Sequence, residues 1–171
     1  ILLLFGLLVA FLIGETATRA FLRADTAGTY PNYSLLPKFE TPVSRWAPHP
    51  YLNYYPAPNY RSGLRSHNSL GYRGDEFTVD KPDGTYRIVA LGGSTTYTNA
   101  VVDNAQTFTA QLGKVLTNQY GYDRIQVINA GVAGYTSLES LLNLELRVLD
   151  LDPDLVIIYL GGNEMHRRLI D

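Results

Sequence analysis

Tyr86-Arg87-Ile88-Val89-Ala90-Leu91-Gly92-Gly93-Ser94-Thr95-Thr96 is the stretch on which the fold turns. It follows the turn signal Pro82-Asp83-Gly84, and its apolar run reads as a buried strand that ends in a loop of small residues. Working outward, the same pattern recurs. A helix is expected near Gln106 to Tyr120, with Phe108, Leu112, Val115 and Leu116 on one face and Gly121 as its terminator. Ile125-Gln126-Val127-Ile128 reads as a second short strand. Thr136 and Glu139 have capping-box spacing and open a second helix, whose Leu138, Leu141, Leu142 and Leu149 are expected on its packed side until Pro153 ends it. Leu155-Val156-Ile157-Ile158-Tyr159-Leu160 is a third strand, too continuously apolar for an edge exposed to water. Strands alternating with helices of this length build an α/β fold, a three-layer arrangement with a parallel sheet, right-handed crossovers and helices on its faces.

Each strand runs into a small-residue loop: Gly92-Gly93-Ser94-Thr95-Thr96, then Asn129-Ala130-Gly131-Val132-Ala133-Gly134, then Gly161-Gly162-Asn163-Glu164. In an open parallel sheet these loops leave the same carboxyl edge, where ligands bind, so they can converge on one site. Glycine brings backbone amides close to a ligand, Ser94 offers an oxygen nucleophile, and Asn163 offers a side-chain donor.

At these residues the sequence resembles the SGNH (GDSL-type) hydrolases. That family carries Gly-Asp-Ser after its first strand, a glycine in an Asn-x-Gly-x-x-Gly-like loop, and Gly-x-Asn-Asp after a later strand. Here the counterparts are Gly92-Gly93-Ser94, Asn129 to Gly134 and Gly161-Gly162-Asn163-Glu164, so Gly93 and Glu164 stand where the family has aspartates. The Gly-Gly-Ser-Thr form, with the lead-in Asn68-Ser69-Leu70-Gly71-Tyr72-Arg73-Gly74, looks like a membrane-tethered branch. The resemblance spans Asn68 to Asp171. It implies a flavodoxin-like hydrolase fold, incomplete here, and an acyl or acetyl ester hydrolysis in which Ser94 attacks the carbonyl. The backbone amides of Ser94 and Gly134 and the Asn163 side chain would then stabilise the oxyanion. It implies no cofactor and no metal.

The family's base is a histidine in an Asp-x-x-His block, and none of the three histidines, His49, His67 and His166, has an aspartate three residues earlier. An unaided serine is a poor nucleophile at neutral pH, so this polypeptide alone is expected to be nearly inactive, and the sequence is read as the first part of a longer domain. His49 and His67 read as surface or packing residues and His166 as part of a solvated helix start.

Two other classes compete. A catalytically silent module, kept as a subunit of a membrane complex, is favoured by the missing histidine and by the aromatic, proline-rich segment upstream. A phosphate or nucleotide binder is disfavoured because the first loop has neither Gly-x-x-x-x-Gly-Lys nor Gly-x-Gly-x-x-Gly, and because the second strand ends in Asn129 rather than a ribose-binding acid.

Residues 1–23 are expected to form a membrane anchor. Ile1 to Ile13 are apolar or glycine up to Gly14 and Glu15, and because the chain opens on Ile1 the run reads as the end of a transmembrane helix. Such an anchor sets the domain at a membrane, on its extracytoplasmic side, with an envelope glycan or lipid ester or a small-molecule ester as substrate. Residues 24–80 form an extension: between Tyr30 and Pro58 lie seven of the nine prolines, and between Tyr30 and Tyr72 seven of the thirteen tyrosines. Proline at that density disfavours regular helix and central strand, while the aromatics offer area worth burying, so an irregular segment lying on the domain or a partner is expected. Residues 81–171 carry the first part of the hydrolase-like domain. Net charge is -2, with 14 basic and 16 acidic residues unsegregated, which provides no footprint for nucleic acid. Without cysteine, thiol chemistry and disulfides are excluded.

Overall fold

The computed structural model describes residues 2–29 and 44–168, and the chain divides into two compact units, Ile1–Thr41 and Pro42–Asp171. In the first, Leu2–Thr29 is a single helix, α1. Among the described residues no helix is long and apolar enough to cross a membrane, so the transmembrane helix expected from the sequence is not found there. The reason is length: at about 1.5 Å per residue the apolar run reaches only about 20 Å, short of the roughly 30 Å of a hydrocarbon core. Beyond it the helix turns polar, with Arg19 donating to Glu15 one turn back at 2.7 Å.

The second unit is built on a parallel sheet. Its strands are β5 (Tyr86–Gly92), β6 (Ile125–Gly131) and β7 (Leu155–Tyr159), in the order β6-β5-β7. Short helix α2 (Ser94–Tyr97) follows β5, and α3 (Phe108–Tyr120) then crosses to β6. Thr107 caps the start of α3 through its side chain, and Gly121, at φ +72°, stops it. Next come α4 (Ser137–Asn143), extended by a wide turn Leu144–Val148 and a tight turn Leu149–Leu151, then β7 and α5 (Gly162–Arg168). The predicted capping box is formed: the Glu139 carboxylate accepts the Thr136 backbone N–H at 2.8 Å.

Alternation along the strands sorts the core. Val89 and Leu91 of β5 and Ile128 and Ala130 of β6 pack with Val148, Leu151 and the lead-in Tyr72. Of the predicted packed side of α4, Leu142 packs against Leu52, Val132 and Tyr135, whereas Leu138, Leu141 and Leu149 are exposed and Ser140, Asn143, Val148 and Leu151 are buried. Asn143 turns inward, its Nδ2 donating to the buried Ala130 carbonyl at the end of β6 at 3.1 Å. Strand β7 is also an edge among the described residues, and Ile158 and Tyr159 are exposed there, contrary to the covered position its apolar run implies.

Upstream, residues 30–43 of the proline-rich stretch lie outside the described residues, and its described part forms two ribbons: β1 (Trp46–His49) with β2 (Asn53–Pro56), and β3 (Arg61–Ser62) with β4 (Arg65–Ser66). This is more regular than the sequence predicted. Pro48 and Pro56 are tolerated because every strand of a two-stranded ribbon is an edge, where a missing N–H need not break a ladder. Leu52, in the β1–β2 turn, is fully buried against Val132 and Tyr135.

Candidate active site

The three strands end level. Gly92 pairs with Gly131 on one side and with Tyr159 on the other, so the loops after β5, β6 and β7 start from one line across the sheet. Gly92 has φ +156°, and a Cβ there would run into Thr96 Oγ1 and the Tyr159 carbonyl, so the chain can turn into α2 only without a side chain. The Val132 N–H donates back to the Gly92 carbonyl at 2.9 Å, joining the first two loops. Asn129 joins them again, because its Nδ2 donates to the Thr96 carbonyl at 3.0 Å while its Oδ1 accepts the Gly131 N–H at 3.1 Å.

Ser94 opens α2, where the first turn leaves its backbone N–H without an intrahelical acceptor. It lines a cleft of about 170 Å³ with Gly93, Thr95, Tyr135, Tyr159 and the third loop through Asn163. Asn163 is placed by its own amide: Nδ2 donates one hydrogen to the Tyr135 carbonyl at 2.7 Å. A carboxamide nitrogen carries two hydrogens, so one remains for a ligand. The approach is close, for a Cβ at Gly93 would lie 2.8 Å from that Nδ2. Ser94 and Asn163 are thus brought together. Gly134, exposed and with φ +89°, precedes Tyr135 and is not among the residues lining the cleft.

Glu164 binds the rim together. Its carboxylate accepts the backbone N–H groups of Ser137 and Gly161. Its pKa is held below the usual glutamate value by hydrogen bonds from backbone N–H groups, its own first and then those of Ser137 and Gly161. The acid that replaces the family aspartate therefore ties α4 to the third loop.

Two groups escaped the sequence reading in their roles. Buried Arg73 donates to the carbonyls of Tyr97, Thr98, Val101 and Val102 and to Asn104 Oδ1, which fixes the chain leaving α2. His67 is buried, its Nδ1 at 2.9 Å from the Ala57 carbonyl and its Nε2 at 2.7 Å from the Tyr97 hydroxyl. Burial first, and then the nearby Arg73, Arg45 and Arg65, lower its pKa to about 4. His49 instead closes a turn, its Nδ1 accepting the N–H groups of Tyr51 and Leu52 at 3.2 Å each. His166 lies on α5, and its side chain is outside the described part of the structure. Among the described residues no three His, Asp or Glu side chains gather to hold a metal ion.

Residues 90–170 match the family model of the GDSL-like lipases/acylhydrolases, a span that contains all three loops. This match supports an SGNH/GDSL-type hydrolase family for this part of the chain. Among solved structures, the chain is similar to AlinE4, an SGNH-hydrolase family esterase, at 32% identity over 49% of this chain and 44% of that one, with a TM-score of 0.44. A point variant of the same esterase matches at 32% identity over 48% of this chain and 43% of that one, with a TM-score of 0.43. The chain therefore spans less than half the length of these esterases. No curated protein matches it. Within the GDSL-type stretch, the signal that carried Ser94 and Asn163 was position, each standing in a small-residue loop directly after an apolar strand.

Proposed function

We propose that the protein is a serine ester hydrolase of the acyl or acetyl esterase class, with Ser94 as nucleophile. The observation that carries this reading is the shared cleft: Ser94 and Asn163 face one space, with Asn163 pinned on the Tyr135 carbonyl and one N–H left over. Attack by the Ser94 hydroxyl on an ester carbonyl makes a tetrahedral oxyanion, and the donors for it are the backbone N–H groups of Ser94 and Gly134 and the Asn163 carboxamide. Collapse expels the alcohol, and water releases the acid from the acyl-serine. The base is a group other than His49 or His67, because the first is occupied in a turn and the second is buried on Tyr97.

The same proposal places the enzyme at a membrane through α1, which exposes Phe5, Leu7, Leu8, Phe11, Leu12 and Ile13, with the domain on the extracytoplasmic side and envelope glycan or lipid esters as substrates. A fluorophosphonate probe on the full-length protein tests the chemistry. Labelling is expected in the parent and lost in Ser94→Ala, and Asn163→Ala is expected to lower ester turnover about 100-fold to 1,000-fold. A folded full-length protein that takes no label would instead be the silent subunit of a membrane complex.

A further inference from the structure

The β1–β2 ribbon precedes every family block, yet it reaches the second loop. The Tyr54 hydroxyl donates to the Ala133 carbonyl at 2.7 Å, and the Tyr135 hydroxyl donates in return to the Tyr54 carbonyl. Between these two anchored residues sits Gly134. We propose that Tyr54 is a positioning residue of the oxyanion site, acting through the Ala133–Gly134 peptide; this rests on the esterase reading above.

A trans peptide is planar, so its C=O and N–H point in opposite directions across one rigid plate, and among the described residues no peptide bond is cis. A donor fixed on the Ala133 oxygen therefore sets where the Gly134 N–H points. Gly134 is exposed, adds no side chain to resist rotation of the plate and sits at φ +89°, in a turn closed by the Tyr135 N–H on the Val132 carbonyl at 3.2 Å. A bond to the carbonyl also polarises the amide and strengthens its N–H as a donor. Tyr54 is itself held: its ring meets Trp46 edge-on at 5.5 Å between centroids and lies 5.7 Å from Tyr135. Burial raises the Tyr135 phenol pKa, so the returning hydrogen bond keeps its proton at working pH. The Tyr135 carbonyl, one residue past Gly134, holds Asn163 Nδ2. One aromatic ribbon thus bears on both of the donors that are not part of the Ser94 turn.

A ribbon that merely packs on the domain would contribute to stability alone, so the test separates turnover from folding. In the full-length protein, Tyr54→Phe keeps the ring and its contacts and removes only the hydroxyl. The expected result is a kcat about tenfold lower, below the loss from deleting a whole donor, with KM within twofold and the melting temperature nearly unchanged. The rate of phosphonylation of Ser94 by a fluorophosphonate should fall in the same proportion, because that reaction develops charge on the same oxygen. Tyr72→Phe is the control. It removes an equivalent phenol, one that donates to the Arg147 carbonyl at 3.0 Å away from the cleft, and is expected to leave kcat alone. A Tyr54→Phe enzyme with parental kcat, a kcat loss matched by Tyr72→Phe, or a Tyr54→Phe chain that cannot fold each overturns the assignment. Absence of Ser94-dependent labelling in the parent would overturn the esterase reading itself, which is a separate result.

Discussion

Gly93 stands where SGNH hydrolases have an aspartate, and its surroundings give a reason that the sequence could not. Its φ of −84° is not left-handed, so that angle does not demand glycine. Space does: a Cβ would lie 2.8 Å from Asn163 Nδ2 and 3.3 Å from the Tyr135 carbonyl, the two atoms whose hydrogen bond sets the carboxamide. Gly93→Ala should therefore displace Asn163 rather than unfold the chain. The expected outcome is a fall in kcat of about tenfold, less than for outright loss of the donor, with the melting temperature almost unmoved. Steady-state kinetics with a short acyl ester beside a thermal melt would show it, and parental turnover would count against the proposed role of Asn163. Ser94 and Asn163 were legible because each follows an apolar strand by one or two small residues. The grip of Tyr54 on Ala133 was not, since the two are joined only by the fold and no local pattern encodes a contact across 79 positions.

At the scale of elements, strands and helix ends were legible and helix faces were not. Caps are local, so the Thr136–Glu139 pair and Gly121 act within a few residues of chain. On α4 the buried side carries Asn143, which donates to the Ala130 carbonyl at the end of β6, while Leu138 and Leu141 lie outside. A leucine count along the helix cannot register a polar contact of that kind. It also makes a prediction: Asn143→Ala should destabilise the protein by about 1–3 kcal/mol, from the loss of a buried hydrogen bond and the cavity left by the shortened side chain. Urea unfolding of parent and variant would measure it, and a change below about 0.5 kcal/mol, the range of ordinary surface substitutions, would show that the Asn143 bond does not stabilise the fold. Strand β5 depends on a similar device, because buried Arg87 donates to the carbonyls of Thr78, Val79 and Leu151 and to Gln126 Oε1. Arginine inside an apolar strand was visible in the sequence; the oxygens that receive it come from three separate segments and were not.

For the Pro42–Asp171 unit as a whole, the proline-rich lead-in and the sheet are joined at His67, and this joint should make stability depend on pH. Its Nδ1 donates to the Ala57 carbonyl, so the neutral ring presents Nε2 as acceptor to the Tyr97 hydroxyl. In the folded protein the pKa is about 4, lowered first by burial and then by Arg73, Arg45 and Arg65, against 6.5 for the free side chain. Above pH 6.5 both folded and unfolded chains carry a neutral ring, and the group adds no pH dependence. Between pH 6.5 and 4 the unfolded chain takes up a proton that the folded chain refuses, so stability falls as pH falls, and the loss levels off below pH 4. A difference of this size corresponds to at most about 3.5 kcal/mol at about 1.4 kcal/mol per pKa unit. His67→Gln keeps a polar side chain but cannot titrate. Its stability deficit relative to the parent should therefore shrink on going from pH 7 to pH 4, while acid effects of the carboxylates, common to both proteins, cancel. Urea midpoints of the two proteins across that range would read the difference directly. Parallel curves would mean that His67 takes up its proton alike in the folded and unfolded chains, and the buried neutral link between the lead-in and Tyr97 would then have to be abandoned.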